Sequence, residues 1–274
     1  MRLETIHLKD IYPFLGENDC DPTLHIYLPH NYESRKDQKR PCILLCPGGG
    51  YRLVSTREAE PIALHFFPEG FNVFILTYSV APNCFPTQIR EVAAAMELIY
   101  AHGEEWNCNL EKIAIMGFSA GAHLSAHYSN RYDCPEVREK FPESKAVNAS
   151  ILCYPVISGE TGTHHVGSFK NLSGHNPPKE EDLEKFSCEK MVTEKTPPAF
   201  IWATASDPIV PVNNSLLYAQ ALAANGVPFE LHIYPFGKHG LSTADLWTNT
   251  EIPTEVSRAT DWLPTLKKWL KVML

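Results

Sequence analysis

Lys112-Ile113-Ala114-Ile115-Met116-Gly117-Phe118-Ser119-Ala120-Gly121-Ala122-His123-Leu124-Ser125-Ala126 is the stretch on which the fold turns. Lys112–Met116, apolar after its first residue, predicts a buried strand. Residues 120–129 predict a helix. Between them stands Gly117-Phe118-Ser119-Ala120-Gly121, of the form G-x-S-x-G. A chain that turns this sharply from strand to helix holds the serine in a strained backbone conformation. Bulky side chains two residues to either side would collide, so small residues stand at 117 and 121. The turn exposes Ser119 Oγ at the carboxyl end of the strand. It also aims the Ala120 N–H, at the helix N-terminus, toward the place where an oxyanion would form.

The same alternation extends in both directions. Strands are predicted at Thr23–Leu28, Cys42–Cys46, Val73–Tyr78, Asn148–Tyr154, Ala199–Ala205 and Pro228–Tyr234, with a weak one at Leu3–Leu8. Helical spacing covers Arg57–Phe67, Pro86–Trp106, Val212–Asn225 (closed by Gly226) and about Val256 to Val272. Strands apolar on both faces, separated by amphipathic helices, argue for an α/β fold: a mostly parallel central sheet with helices on both faces. The period breaks over residues 156–196, which are rich in Gly, His, Pro and charge. We read this stretch as a small insertion after the sixth strand, partly helical from about Pro177, lying over the sheet edge as a partial lid. Residues 1–274 then form a single domain.

Composition excludes several functions. The chain has 274 residues, 44% hydrophobic and 20% charged, which is globular rather than disordered or fibrous. A formal net charge of −8 and no long Lys/Arg run speak against nucleic-acid or membrane partners. The N-terminus lacks an apolar signal segment, and Phe71–Val80 is too short and polar to span a bilayer. A cytoplasmic protein is expected. The eight cysteines form no CxxC pair, which favours reduced, mostly buried thiols over a disulfide framework.

A serine hydroxyl is a weak nucleophile and needs a base. Asp207 lies just past strand Ala199–Ala205, and His239 just past strand Pro228–Tyr234, between Gly237 and Gly240. All three side chains would emerge at one edge of the sheet, with the aspartate orienting the imidazole. Asp245 is the reserve acid and His232 the rival base. Pro47-Gly48-Gly49-Gly50-Tyr51 follows strand Cys42–Cys46, and its glycines let the backbone approach a reacting centre and present N–H groups to an oxyanion. No Gly-Lys-Ser/Thr follows, so it is not a phosphate loop. His123 and His127 lack the Glu of H-E-x-x-H, and packing or surface exposure is the better reading than zinc. His164, His165, His175 and Cys188 are irregularly spaced and read as solvated loop residues rather than a metal site. No metal is expected. Tyr51, Tyr78 and Trp247 are candidates for lining a substrate pocket.

Five stretches carry a resemblance: Cys46–Glu60, Tyr78–Pro86, Ile113–Ala126, Thr196–Val212 and Glu230–Ser242. Together they resemble the α/β-hydrolase fold and, within it, the acetyl-xylan-esterase-like carbohydrate esterases related to hormone-sensitive-lipase-type esterases. The resemblance implies Ser119 as nucleophile, Asp207 as acid and His239 as base. It implies backbone N–H donors from Gly49 or Gly50 and from Ala120, and no cofactor. Pro47 stands where many such esterases carry His, and Ser206 where relatives often carry another Asp. The implied function is a serine carboxylesterase acting on a small-molecule ester, removing acetyl or other short acyl groups from sugars or xylo-oligosaccharides. A small serine peptidase of prolyl-oligopeptidase-like type and a non-catalytic binder on the same scaffold are the alternatives. The oligomeric state is open, a homo-oligomer included.

Overall fold

The computed structural model describes residues 1–15 and 20–274. One sheet contains β1 (Arg2–His7), β2 (Thr23–Leu28), β3 (Arg40–Cys46), β4 (Asn72–Thr77), β5 (Cys108–Phe118), β6 (Ala149–Cys153), β7 (Ala199–Thr204) and β8 (Phe229–Tyr234). Their order across the sheet is β1-β2-β4-β3-β5-β6-β7-β8. β2 is antiparallel to β1 and β4, and the remaining neighbours pair in parallel. This is the α/β-hydrolase architecture expected from the sequence.

The strand sequences explain why both faces are covered. In β3, Ile43 and Leu45 face one side while Leu44 and Cys46 face the other, and all four are buried. A strand with no polar face needs a helix layer on each side. The helices are α1 (Leu8–Ile11), α2 (Glu60–Phe66), α3 (Thr87–Ala101), α4 (Ala120–Arg131), α5 (Pro135–Arg138), α6 (Val166–Ser173), α7 (Glu180–Lys185), α8 (Asn213–Ala224) and α9 (Trp262–Met273). α2 and α9 cover the face of Ile43 and Leu45, where α9 inserts Trp262, Leu266 and Trp269. α3 and α4 cover the face of Leu44 and Ile115 with Val92, Met96 and Leu124. α8 packs Tyr218 and Leu222 beside Ala122 and Ala126 of α4. Each large side chain so buried contributes about 1.5–3 kcal/mol.

Three helix boundaries differ from the sequence reading. The helix expected over Pro86–Trp106 stops at Ala101. The chain then turns, Trp106 packs against Phe74, and β5 begins at Cys108 rather than Lys112. The last helix becomes regular only at Trp262, after 3-10 turns over Thr254–Asp261. Pro264 explains this, because a proline is tolerated in the first turn of an α-helix and not in its interior. The helix expected over Arg57–Phe67 breaks at Ala59 into a 3-10 turn, Thr56–Glu58, and α2. That break turns Glu58 back toward Gly48.

The stretch 156–196 contains α6 and α7, so its helical content starts before Pro177. Phe169, Leu172 and Phe186 pack into the cluster that holds Tyr51, Tyr78 and Leu124. No disulfide forms among the described cysteines, and Cys42, Cys46, Cys108, Cys153 and Cys188 are buried. No helix among the described residues is long and apolar enough to cross a membrane. Because β3, β5, β7 and β8 run in the same direction, the loops that follow them meet at one edge of the sheet.

Candidate active site

Ser119 joins β5 to α4 with φ 52° and ψ −117°. A non-glycine residue held there stores of order 1–3 kcal/mol of strain. Its N–H donates to Cys153 O (3.0 Å), and its carbonyl accepts from His123 N–H and Val156 N–H. Gly121 makes the turn possible, since a Cβ there would stand 2.1 Å from Cys46 O and 2.3 Å from Pro47 O. Any side chain at 121 would push α4 away from the end of β3.

The three residues read from sequence lie in one hydrogen-bonded row. His239 Nε2 is 2.7 Å from Ser119 Oγ, and His239 Nδ1 is 2.6 Å from Asp207 Oδ2. Asp207 Oδ1 accepts from the N–H groups of Ile209 (2.8 Å) and Val210 (3.0 Å), which fixes the carboxylate against rotation. Its side chain is 1% exposed and that of His239 17%, so the row is shielded at one end and open at the other. With the carboxylate accepting at Nδ1–H, Nε2 is left to accept from the serine hydroxyl. The two rivals are engaged elsewhere. Asp245 Oδ1 accepts from Thr243 Oγ1 and Trp247 N–H, capping its own turn, and His232 pairs with Glu230 on β8.

The loop after β3 is pinned through its carbonyl groups. Pro47 O accepts from Tyr78 Oη (2.7 Å), Gly48 O from Ser55 N–H, Gly49 O from Arg52 N–H, Gly50 O from Asn171 Nδ2, and Tyr51 O from Ala81 N–H. The Gly48 N–H donates to Glu58 Oε2 (2.8 Å). Among the described residues the N–H groups of Gly49 and Gly50 have no acceptor. Ala120 N–H, first in its helix, has no intrahelical acceptor either. Gly49 has φ 133°, and a Cβ on it would stand 1.9 Å from Leu53 O, so the tight turn that frees these donors excludes any side chain.

These groups open on a cavity of about 450 Å³, whose walls include Arg52, Leu53, Ser55, His165, Asn171 and Ile209. Leu53 and Ile209, the large apolar side chains of the lining, are 47% and 52% exposed and sit at the mouth. His165 caps α6: its Nδ1 accepts from Ser168 Oγ (2.8 Å) and Ser168 N–H (3.3 Å), which places the proton on Nε2. Burial, then the neighbouring His239, pushes its pKa below the usual imidazole value, so the ring stays neutral. Nε2–H has no partner among the described residues.

Three pocket candidates need correction. Tyr51, Tyr78 and Trp247 do not line this cavity. Tyr51 is 1% exposed and donates to His123 Nδ1 (2.8 Å), while Tyr78 holds Pro47 O from beneath. Both brace the glycine loop. Trp247 packs on His65, and half of it faces solvent. The histidines also sort differently from the sequence reading. His165 is a cavity wall rather than a solvated loop residue, and Cys188 is a core residue. His123 and His127 are packed inside. His123 Nε2–H donates to Phe186 O (2.8 Å), and burial pushes its pKa down to about 4. His175 pairs with Asp182 (2.6 Å). Among the described residues no group of three His, Cys, Asp or Glu side chains could hold a metal ion.

Sequence reasoning missed Glu58, His165 and Asn171. His165-Val166-Gly167-Ser168 carries a weak helix-start signal, but nothing in it points to the cavity. Glu58 was hidden inside a helical pattern that breaks one residue later.

The BD-FAE family model matches residues 24–222. The chain is 36% identical over 251 residues to endo-1,4-beta-xylanase B of Butyrivibrio fibrisolvens, covering 88% of this chain and 38% of that protein. It is 33% identical over 218 residues to an acetylxylan esterase of Xylanibacter ruminicola, covering 78% of this chain and 42% of the relative. The chain therefore spans about two fifths of the length of these relatives. Among solved structures, the acetyl ester-xyloside bifunctional hydrolase from Caldicellulosiruptor lactoaceticus superposes with TM-score 0.83 at 34% identity, over 98% of this chain and 96% of that one. A carboxylesterase from Lactobacillus plantarum gives TM-score 0.82 at 26% identity, over 99% and 98%.

Proposed function

This chain belongs to the BD-FAE family, and from that premise we propose that it is a serine carboxylesterase removing short acyl groups, acetyl foremost, from sugars or xylo-oligosaccharides. One observation carries the reading: the row Asp207–His239–Ser119, at 2.6 and 2.7 Å, ends beside two acceptor-free N–H groups. Ser119 Oγ attacks the ester carbonyl as His239 Nε2 takes its proton. Asp207 stabilises the imidazolium that forms. The N–H groups of Gly49, Gly50 and Ala120 hold the oxyanion of the tetrahedral intermediate, a contribution of about 2.7–4 kcal/mol for each well-placed donor. His239 then returns the proton to the leaving alcohol, and water repeats the cycle on the acyl-enzyme.

The cavity supports the substrate class. The large apolar side chains in its lining, Leu53 and Ile209, are about half exposed, which gives a long acyl chain little apolar wall to bury against. Arg52, Ser55, His165 and Asn171 give its wall donors and acceptors suited to a polyhydroxylated alcohol. The relatives named for acetylxylan esterase and acetyl ester-xyloside hydrolase activity point the same way.

The test is a panel of p-nitrophenyl acetate, butyrate and octanoate, acetylated xylo-oligosaccharides and an aminoacyl-nitroanilide, run beside Ser119→Ala. Acetate and the acetylated oligosaccharides are expected to turn over fastest, with activity abolished in the variant. Preference for octanoate would refute the sugar-ester reading, and preference for the nitroanilide would make the protein a peptidase.

A further inference from the structure

Glu58 is a buried carboxylate beside the catalytic serine that the hydrolytic steps above do not use. It is 3% exposed and forms no ion pair among the described residues. Leaving a charge in that position is costly unless hydrogen bonds compensate it. Two do. Gly48 N–H donates to Oε2 (2.8 Å), and Tyr154 Oη donates to Oε1 (2.6 Å). Tyr154 Oη in turn accepts from Ser242 N–H (3.0 Å). That third bond orients the phenol, because the oxygen already serves as acceptor and its proton is free to point at Glu58.

These contacts join two loops. Gly48 opens the loop that carries the Gly49 and Gly50 donors. Ser242 belongs to the loop that follows His239, and the Tyr154 ring packs edge-on against the His239 imidazole at 5.2 Å. Arg57, the adjacent residue, fastens the same turn to the segment after His239 through Gly240 O (3.0 Å), Thr248 O (2.9 Å) and Ser242 Oγ, which donates to Arg57 O. A Cβ on Gly48 would meet Glu58 Oε2 at 2.6 Å and Ser119 Cβ at 3.1 Å, so carboxylate and nucleophile flank one peptide unit.

We propose that Glu58 is a positioning residue of the esterase, a clamp that sets the Gly49 and Gly50 donors and the His239 imidazole in register with Ser119. This rests on the esterase reading of the site. The chemistry of the partners explains why the residue is a carboxylate. Both are donors, so both oxygens must accept. A glutamine fits the space, and its carbonyl could accept from Gly48 N–H, but its NH2 would then donate to Tyr154 Oη, an oxygen that already accepts from Ser242 N–H, and the buried phenol proton would lose its acceptor. Only a carboxylate offers an acceptor oxygen to each of the two donors and leaves the Ser242–Tyr154 bond as it is. Glu58 touches no reacting atom, and its effect passes through the geometry of groups that do. Misplacing such groups by a fraction of an ångström lowers turnover without changing how substrate first binds.

The test compares wild type, Glu58→Gln and Tyr154→Phe with p-nitrophenyl acetate, together with inhibition by an arylboronic acid that forms a tetrahedral adduct on serine. The melting temperature is read alongside. For Glu58→Gln, kcat is expected to fall about 10- to 100-fold with KM within about twofold, and boronate inhibition to weaken in parallel with kcat/KM. Tyr154→Phe, which deletes one oxygen, is expected to show the same pattern at about 3- to 10-fold. A residue that only holds the fold would lower the melting temperature and the fraction of active protein while leaving kcat per active site and boronate affinity unchanged, and that result overturns the proposal. Wild-type kcat in a folded Glu58→Gln or Tyr154→Phe also overturns it. Should Glu58→Gln fail to fold, Tyr154→Phe decides. A wild-type protein inert toward every ester defeats the esterase reading and this inference together. An active wild type with indifferent variants defeats this inference alone.

Discussion

Replacing Glu91 by glutamine should flatten the loss of stability between about pH 4.5 and about pH 8. Glu91 lies on α3, fully buried, with Oε2 accepting from Ser79 N–H at 2.7 Å and Oε1 accepting from Ser79 Oγ. Burial raises its pKa from the ordinary 4.5 to about 8, against the lowering effect of the two Ser79 bonds. Between those values the folded chain holds a proton that the unfolded chain has released. Stability therefore falls as pH rises from about 4.5 and levels off above about 8. Each pH decade of that difference is worth about 1.4 kcal/mol, so the full penalty is roughly 4–5 kcal/mol. At about 2–4 °C per kcal/mol for a chain of this size, that corresponds to roughly 10–20 °C in melting temperature. Glutamine is neutral throughout and can accept from Ser79 N–H while donating to Ser79 Oγ. The assay is thermal unfolding of both proteins from pH 5 to pH 9. The two should melt close together at pH 5, and Glu91→Gln should melt well above wild type at pH 9. Curves that stay parallel across this range would refute the reasoning. The site shares the effect, since Ser79 follows Tyr78, whose hydroxyl holds Pro47 O under the glycine loop.

Other outcomes follow from the same contacts. Asp207→Asn can still accept from the Ile209 and Val210 N–H groups, but its amide would face His239 Nδ1 and favour the tautomer that cannot take the serine proton. Turnover of p-nitrophenyl acetate should fall by about 10²–10⁴ with the melting temperature nearly unchanged. His165→Leu removes a neutral donor from the cavity wall, so kcat/KM for acetylated xylo-oligosaccharides should fall about 3- to 10-fold while p-nitrophenyl acetate is barely affected. Tyr51→Phe leaves His123 Nδ1 buried without its donor and should cost about 1–3 kcal/mol in denaturant unfolding.

The parts of this architecture that local chemistry dictates were legible in the sequence. A parallel strand must be apolar on both faces, and a strand-to-helix turn around a serine must be flanked by small residues. Ile43–Cys46 and Gly117–Gly121 obey those constraints openly. Chain order then placed Asp207 and His239 at the ends of the last two strands. What was hidden depends on the third dimension. Tyr51 adjoins the glycine loop in sequence and Tyr78 follows β4, yet both turn inward because a carbonyl and a buried imidazole need their hydroxyls. His165 lies in a stretch without periodicity, and only the start of α6 brings its ring to the cavity. Glu58 is masked by helical spacing on both sides, and its role exists only because the backbone breaks at Ala59. Pro264 did hold a local signal: it sets where α9 becomes regular.

The most direct test of the central claim is intact-mass and peptide mapping after treatment with a fluorophosphonate. Wild-type protein should gain one adduct, mapped to Ser119, with esterase activity lost in proportion. His239→Ala should label far more slowly. An unlabelled protein, or an adduct on any other residue while activity disappears, would contradict the account.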